Sequence, residues 1–161
     1  MICKYKIGDM EVHRFTLEPI KSNMYVMISD KKALVIDPCI NEEARVLLEN
    51  QGVEEVTIIL THEHYDHISG VNWFRNLWSC YVIGNENTKN MVVDPTKNLA
   101  AFLIALFVHS DKDELELVKK IMDTEYSCTA DYGFVDKGEI EFGSHEIRLV
   151  NTPGHSPGSI C

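Results

Sequence analysis

Apolar and polar residues alternate in short runs through the first part of the chain. The alternation predicts three strands joined by polar turns, at residues 11–17, 24–29 and 33–36. Asn41 can cap a helix over residues 42–50, because the apolar residues of that stretch share one face. A short run rich in β-branched residues at 56–60 predicts a buried strand. Strand, helix and strand in this order indicate an α/β fold.

The rest of the chain continues this mixture. It predicts, in order, a helix at 68–77, a strand at 80–83, a mostly helical stretch at 85–128 with a break at Pro95, an amphipathic helix at 113–122, and a hairpin at 139–150. Residues 99–108 are apolar all round if helical, which predicts a packing helix buried on more than one side. A lid over a substrate or a dimer surface is the alternative for that segment. No linker divides the chain, so one domain over residues 1–161 is expected.

The net charge of the chain limits the classes of binding partner that are expected. The chain has 15 Lys and Arg residues against 25 Asp and Glu residues, a formal net charge of -10. This charge repels phosphate backbones and anionic lipid surfaces, so nucleic acid and membranes are not expected as partners. A small-molecule substrate is expected instead, and even an anionic one is compatible, because a bound divalent cation can dominate the field of a pocket.

The cysteines and the N-terminal segment bear on location. The five cysteines show no C-x-x-C spacing and are odd in number, which argues against a disulfide framework or a cysteine-based zinc module. The first nine residues have no apolar signal-peptide core. The longest apolar run is about half the length needed to cross a bilayer. We therefore expect a cytoplasmic protein.

Four metal-competent side chains stand within six positions directly after the strand predicted at 56–60. In an extended loop, side chains two positions apart point the same way, so His62, His64 and Asp66 can converge while His67 turns off. Imidazole and carboxylate are ordinary ligands of zinc, and iron and manganese also accept them. The helical H-E-x-x-H spacing is absent, because only one residue separates the first two histidines. The motif predicts two adjacent metal sites whose ligands come from one loop.

A second motif, T-P-G-H-S-P-G at residues 152–158, follows the last predicted strand. Its two Pro and Gly pairs favour a tight turn that aims His155 in a fixed direction. His155 would complete a set of three histidines with His62 and His64. Ser69 and Ser156 lack the partners of a catalytic triad, so serine nucleophilic catalysis is disfavoured.

The pattern H-x-H-x-D-H at 62–67, with Asp37 ending L-V-I-D and T-P-G-H at 152–155, resembles the metallo-β-lactamase fold superfamily, particularly its glyoxalase II-like small hydrolases. The likeness covers nearly the whole chain. It implies an αββα sandwich, of which this chain supplies the N-terminal half and the start of the second half. Asp37 would support the site without binding metal; capping the end of its strand is the alternative.

The resemblance also implies a ligand set. His62, His64 and His155 would hold a first metal, and Asp66 and His67 would belong to a second. The expected cofactor is zinc, two ions per complete site, with iron or manganese as alternatives. Asp66 would also be catalytic, because it can orient the attacking water.

The chain departs from the family pattern in two places. Cys39 stands where the family usually has glycine, so we expect a differently shaped turn or an unusual backbone angle there. The chain also stops at Cys161, before the family's bridging aspartate and final histidine, which predicts a domain incomplete at its C-terminal end. One face of its sheet would then be uncovered, and the chain would dimerise or swap through that face.

Three functions follow from these residues. The first is a metal-dependent hydrolase that uses a metal-activated water on an ester or thioester, as hydroxyacylglutathione hydrolases do. The second is an iron-dependent oxidoreductase of the same fold, acting on sulfur compounds or oxygen, because the ligand types suit iron equally. The third is an inactive metal-binding fragment that lacks the ligands of its second site.

Overall fold

The structure, a computed structural model, describes residues 3–161. Its elements follow in chain order: β1 (Cys3–Ile7), β2 (Met10–Leu17), β3 (Ser22–Ser29), β4 (Lys32–Ile36), α1 (Glu42–Asn50), β5 (Glu55–Ile59), α2 (Tyr65–Ile68), α3 (Val71–Leu77), β6 (Ser79–Asn85), α4 (Glu86–Met91), a 3-10 helix (Leu103–Phe107), α5 (Lys112–Ile121), β7 (Tyr132–Phe134), β8 (Lys137–Phe142) and β9 (His145–Val150). None of these helices has the length and apolar character needed to span a bilayer.

Seven strands form one large sheet in the order β1 to β7, and β8 and β9 form a separate hairpin. Strands β1 to β4 pair antiparallel, whereas β4 to β7 pair parallel. The parallel pairs need crossovers, which α1 supplies between β4 and β5, and α2 and α3 supply between β5 and β6. The C-terminal ends of β4, β5 and β6 therefore lie at one edge of the sheet.

The first face of the large sheet carries the helices. Val26, Val35 and Ile58 project from neighbouring strands and are fully buried. They share a core with Leu48 of α1 and Phe74 of α3. The helices pack here because each turns a narrow apolar stripe towards the sheet.

The second face is covered by the hairpin. Met27, Leu34 and Ile59 are the sequence neighbours of those three strand residues of the first face, so their side chains point to the second face. They pack against Phe142 and Leu149 of the hairpin. The outer side of the hairpin carries exposed charged residues, Lys137, Glu139 and Arg148 among them. The molecule is thus a mixed α/β structure with helices, a large sheet and a small second sheet in layers, which agrees with the expected fold class.

The hairpin covers only part of the second face of the large sheet. Tyr81 and Tyr132, on the parallel side of the sheet, are about half exposed (51% and 50%). Dimerisation or swapping through this face stays a prediction.

The expectation of a buried helix at 99–108 is wrong. The segment forms only the short 3-10 helix, after a left-handed turn at Leu99 with φ 64°. Its side chains divide: Ala100 is fully buried, whereas Phe102, Leu106 and Val108 are 56%, 74% and 60% exposed. Composition alone did not reveal that the core on this side of the sheet is already filled by residues of α1, α3 and α5, such as Leu48, Phe74 and Val118.

The single helix predicted at 68–77 is also wrong in its bounds. A break at Ser69 and Gly70 divides it into α2 and α3. Gly70 crosses so close to the turn after β4 that a Cβ on it would lie 2.7 Å from the backbone nitrogen of Cys39. The glycine is required here by close backbone approach, which periodicity does not report. The unusual angle expected at Cys39 falls instead on Asp37, with φ 53°.

Candidate metal centre

The candidate site lies at the edge of the sheet where β4 and β5 end. Asp37 follows β4, and the loop of residues 60–64 follows β5. The backbone N–H of Asp37 donates to Ile59 across this edge (3.0 Å). The loop of residues 151–160 arrives after β9, and the N–H of Ile160 donates to the carbonyl of Thr61 (2.9 Å). Two loops distant in sequence therefore meet at one edge.

The structure brings His62, His64 and His155 together. One ligand atom from each ring lies within 4.8 Å of the other two. The rings stand nearly perpendicular to one another, with centroids 4.6 to 5.0 Å apart. His62 is buried at the bottom, His64 is intermediate and His155 is exposed. The three rings form a cup that opens to solvent on one side.

The nitrogen atoms of this cup fit a metal ion. The Nε2 of His62 is buried and has no hydrogen-bond partner. The Nδ1 of His64 and the Nε2 of His155 face each other at 3.1 Å. In a tetrahedral zinc site the Zn–N distances are about 2.0 to 2.1 Å, so the ligand nitrogens lie about 3.3 Å from one another. The separation between His64 and His155 is close to this value, and all three ligand atoms lie within 4.8 Å of one another.

Asp37 orients the bottom of the cup through Thr61. The Asp37 carboxylate, which is buried, accepts hydrogen bonds from the Thr61 N–H (2.7 Å) and the Thr61 hydroxyl (2.6 Å). Since the hydroxyl has a single hydrogen, it can only accept from the Nδ1 of His62, 3.1 Å away. His62 therefore carries its proton on Nδ1 and turns the lone pair of Nε2 into the cup. Metal-binding histidines are commonly fixed by such a partner.

Asp66 and His67 lie beside the cup as a pair. The Nδ1 of His67 donates to Asp37 (2.8 Å), and its Nε2 lies 3.3 Å from the Asp66 carboxylate. The His67 ring also touches that of His62, with centroids 4.1 Å apart. Within residues 3–161 the three histidines form the group with metal-site spacing, and Asp66 and His67 are outside that group.

The pKa values of His62 and His64 shift in the direction opposite to that of His67. Burial, together with the neighbouring imidazoles, lowers the pKa of His62 to about 3. Burial also lowers the pKa of His64, against the opposing effect of Glu63. Burial would lower the pKa of His67 as well, but the hydrogen bonds to Asp37 and Asp66 outweigh it and raise the pKa to about 10. His62 and His64 thus offer neutral imidazoles at neutral pH, whereas a metal at His67 must displace a proton.

The extended-loop prediction is correct at one end and wrong at the other. His64 is extended (φ -63°, ψ 145°), but Asp66 and His67 lie in the short helix α2. Asp66 therefore does not project alongside His62 and His64 by strand alternation. Its helical turn places it against His67, while its backbone carbonyl accepts from the Ser22 hydroxyl (3.0 Å).

Sequence reasoning missed one residue of the site, Glu63. It is 1% exposed and accepts a hydrogen bond from the hydroxyl of Ser156, the residue that follows His155 (3.0 Å). A glutamate between two ligand-type residues resembles a solvated loop residue. The available signal was the alternation itself, because the side chain between two that face the site must point into the protein.

A family model of the metallo-beta-lactamase superfamily matches residues 17–161. The probable metallo-hydrolase YqgX of Bacillus subtilis is 29% identical over 152 residues, which cover 94% of this chain and 64% of that protein. A hydroxyacylglutathione hydrolase of Prochlorococcus marinus is 25% identical over 151 residues, which cover 91% of this chain and 46% of that protein. The chain thus spans less than two thirds of the length of each relative.

Solved structures agree. The B3 metallo-beta-lactamase BLEG-1 superposes with a TM-score of 0.72 at 27% identity, covering 92% of this chain and 65% of that one. The class B3 di-zinc enzyme LRA-12 from an Alaskan soil metagenome gives a TM-score of 0.62 at 15% identity, covering 98% and 53%, and so shares the fold. The family match and these folds together show that the chain belongs to the metallo-beta-lactamase superfamily.

Proposed function

We propose that the protein is a metal-dependent hydrolase acting on an ester or thioester of a small molecule. The observation that carries the proposal is the cup of His62, His64 and His155, in which His62 is buried and His155 is exposed to solvent. A zinc site with three protein ligands and one open position is typical of catalysis, whereas structural sites use four protein ligands. Zinc, two ions per complete site, is the proposed cofactor.

A bound divalent ion would supply a Lewis acid and lower the pKa of a coordinated water towards neutrality. His62 and His64 would hold it from the loop after β5, and His155 from the loop after β9. Asp66 would orient the water. Burial would raise the pKa of Asp66, but the hydrogen bond to His67 lowers it, so the carboxylate is ionised and can accept a hydrogen bond from that water.

His67 would serve the second ion together with Asp66. Because its pKa is about 10 in the metal-free protein, binding at this position must release a proton. His62 and His64 require no such release, because their pKa values are lowered. We therefore propose that the cup fills first and that the second ion binds more weakly at neutral pH.

The thioester is the first substrate class to test. A relative at 25% identity carries the name hydroxyacylglutathione hydrolase, which supports a thioester of a small hydroxy acid. Other relatives carry only the broader name of metallo-hydrolase. Lactones, phosphodiesters and β-lactams are the next classes to assay.

The test combines metal content with turnover. Protein purified without added metal is assayed for zinc, iron and manganese, then for hydrolysis of thioester substrates before and after chelation. We expect zinc, loss of turnover on chelation, and a fall of about 10²- to 10⁴-fold in kcat for Asp66→Asn. The control is Asp30→Asn, an exposed aspartate in the turn after β3. Full activity in Asp66→Asn, or activity that survives chelation, would refute the proposal, and iron with redox turnover would favour an oxidoreductase.

A further inference from the structure

Glu63 is a buried carboxylate within the loop that supplies His62 and His64. Successive side chains of an extended loop point to opposite sides, so the two histidines face the cup while Glu63 faces the protein interior. It is 1% exposed. Burying a carboxylate is costly unless hydrogen bonds compensate, so its partners identify what it holds.

Its partner belongs to the other loop of the site. The Oε2 of Glu63 accepts from the hydroxyl of Ser156 (3.0 Å), which directly follows His155. Ser156 is 4% exposed and is itself braced by Ser159, whose hydroxyl accepts from the Ser156 N–H (3.1 Å). The bond thus joins the residue between the first two histidines to the neighbour of the third.

The atoms around this hydrogen bond are tightly packed. A Cβ on Gly158 would lie 2.2 Å from the Oε2 of Glu63 and 2.3 Å from the hydroxyl of Thr88. The hydroxyl of Thr88 donates to the carbonyl of Gly158 (3.0 Å) and so ties the His155 loop to α4. Glu63 ties that loop to the His62 and His64 loop through a buried side chain, beside the backbone bond from Ile160 to Thr61.

We propose that Glu63 is a positioning residue, which fixes His155 relative to His62 and His64 through its hydrogen bond to Ser156. The inference rests on the proposed metal centre and names a residue that sets its geometry without binding the ion. The bond of the buried carboxylate to Ser156 limits how far the exposed His155 can move from the other two rings. Loosening that bond changes the site's geometry while all three imidazoles remain.

Metal affinity and the absorption spectrum of bound Co²⁺ test the proposal. Glu63→Ala removes the bond, and Glu63→Gln keeps an acceptor of the same shape. We expect Glu63→Ala to bind zinc about 10- to 100-fold more weakly and to shift the Co²⁺ spectrum. Glu63→Gln should recover affinity to within about threefold of the wild-type value. Equal losses in the two variants, or no loss in a folded Glu63→Ala, would overturn the proposal.

Ser156→Ala removes the same bond from the other side, and on its own it should weaken zinc binding; this single variant is decisive if Glu63→Ala does not fold. If Glu63→Ala folds, adding it to Ser156→Ala should cause no further loss, because residues that act as a unit are not additive. Wild-type affinity in Ser156→Ala, or fully additive losses, would count against the proposal.

Thr88→Val is the matched control. It removes a buried hydroxyl that holds the same loop to α4, so it should lower stability while leaving zinc affinity within about threefold. A loss in Thr88→Val as large as in Glu63→Ala would mean that affinity reports general packing, which overturns the proposal. If wild-type protein binds zinc and hydrolyses substrate but Glu63 has no effect, only this inference fails. If wild-type protein binds no metal, the proposed function fails with it.

Discussion

Replacing Asp37 with asparagine perturbs the site without touching a proposed ligand. Three donors converge on the two oxygens of Asp37: the N–H and hydroxyl of Thr61 and the Nδ1 of His67. The residue has φ 53°, a left-handed conformation that asparagine also tolerates. The substitution therefore changes the hydrogen-bond chemistry while the backbone can stay in place.

The geometry sets the size of the effect. Asparagine offers one acceptor oxygen and one NH₂ group, so at least one of the three donors must face another donor. A hydrogen bond to a charged acceptor contributes about 1.5 to 3 kcal/mol, and the remaining bonds weaken when their acceptor becomes neutral. We expect Asp37→Asn to lower the free energy of unfolding by about 2 to 4 kcal/mol. Because Thr61 orients His62, zinc affinity should fall by about 10- to 100-fold.

Urea unfolding of metal-free protein measures the first quantity, and competition with a chelating dye measures the second. Asp30→Asn is the control, because Asp30 is exposed and has the same φ of 53°. It should change stability by less than about 0.5 kcal/mol. If Asp37→Asn behaves like Asp30→Asn in both assays, Asp37 only ends its strand and the support role is refuted.

Three further predictions use other parts of the structure. Gly70→Ala should lower the free energy of unfolding by about 1 to 3 kcal/mol, since its Cβ would meet the backbone of Cys39 at 2.7 Å, whereas Gly154→Ala, with nothing within 4 Å, should be nearly neutral in the same urea titration. A maleimide should label exposed Cys161 in native protein, while Cys39 and Cys128, buried and with pKa values raised by burial to about 12, should react only after unfolding; mass spectrometry would show early labelling if this is wrong. The pKa of His67 is raised from 6.5 to about 10, so its contribution to the stability of metal-free protein is complete below pH 6.5 and is lost as the pH rises through about 10; a flat urea midpoint across that window would contradict the pairing with Asp37 and Asp66.

Local chemistry in the sequence predicted much of the fold. The helix at Glu42–Asn50 was predicted with its bounds because Asn41 accepts from the Ala44 N–H, a cap visible in the sequence. The parallel strands followed from β-branched runs separated by helical patterns. By contrast, β1 and β7 were missed, since each depends on pairing with a neighbouring strand and has few buried side chains.

The candidate site was predicted for a different reason. Residue types and spacing identified His62 and His64, and His155 entered because two Pro and Gly pairs hold it after a strand. Nothing in the sequence says which side chains share a hydrogen bond across distant loops. The junction of Asp37 with Thr61 and the bond of Glu63 to Ser156 emerge only when the chain is folded.

Anomalous diffraction from crystals of zinc-loaded protein tests the central claim most directly. The account predicts a zinc peak about 2.0 to 2.1 Å from the Nε2 of His62, the Nδ1 of His64 and the Nε2 of His155. A fourth position facing solvent should hold a water. Zinc bound elsewhere, with these three nitrogens unligated, would contradict the account.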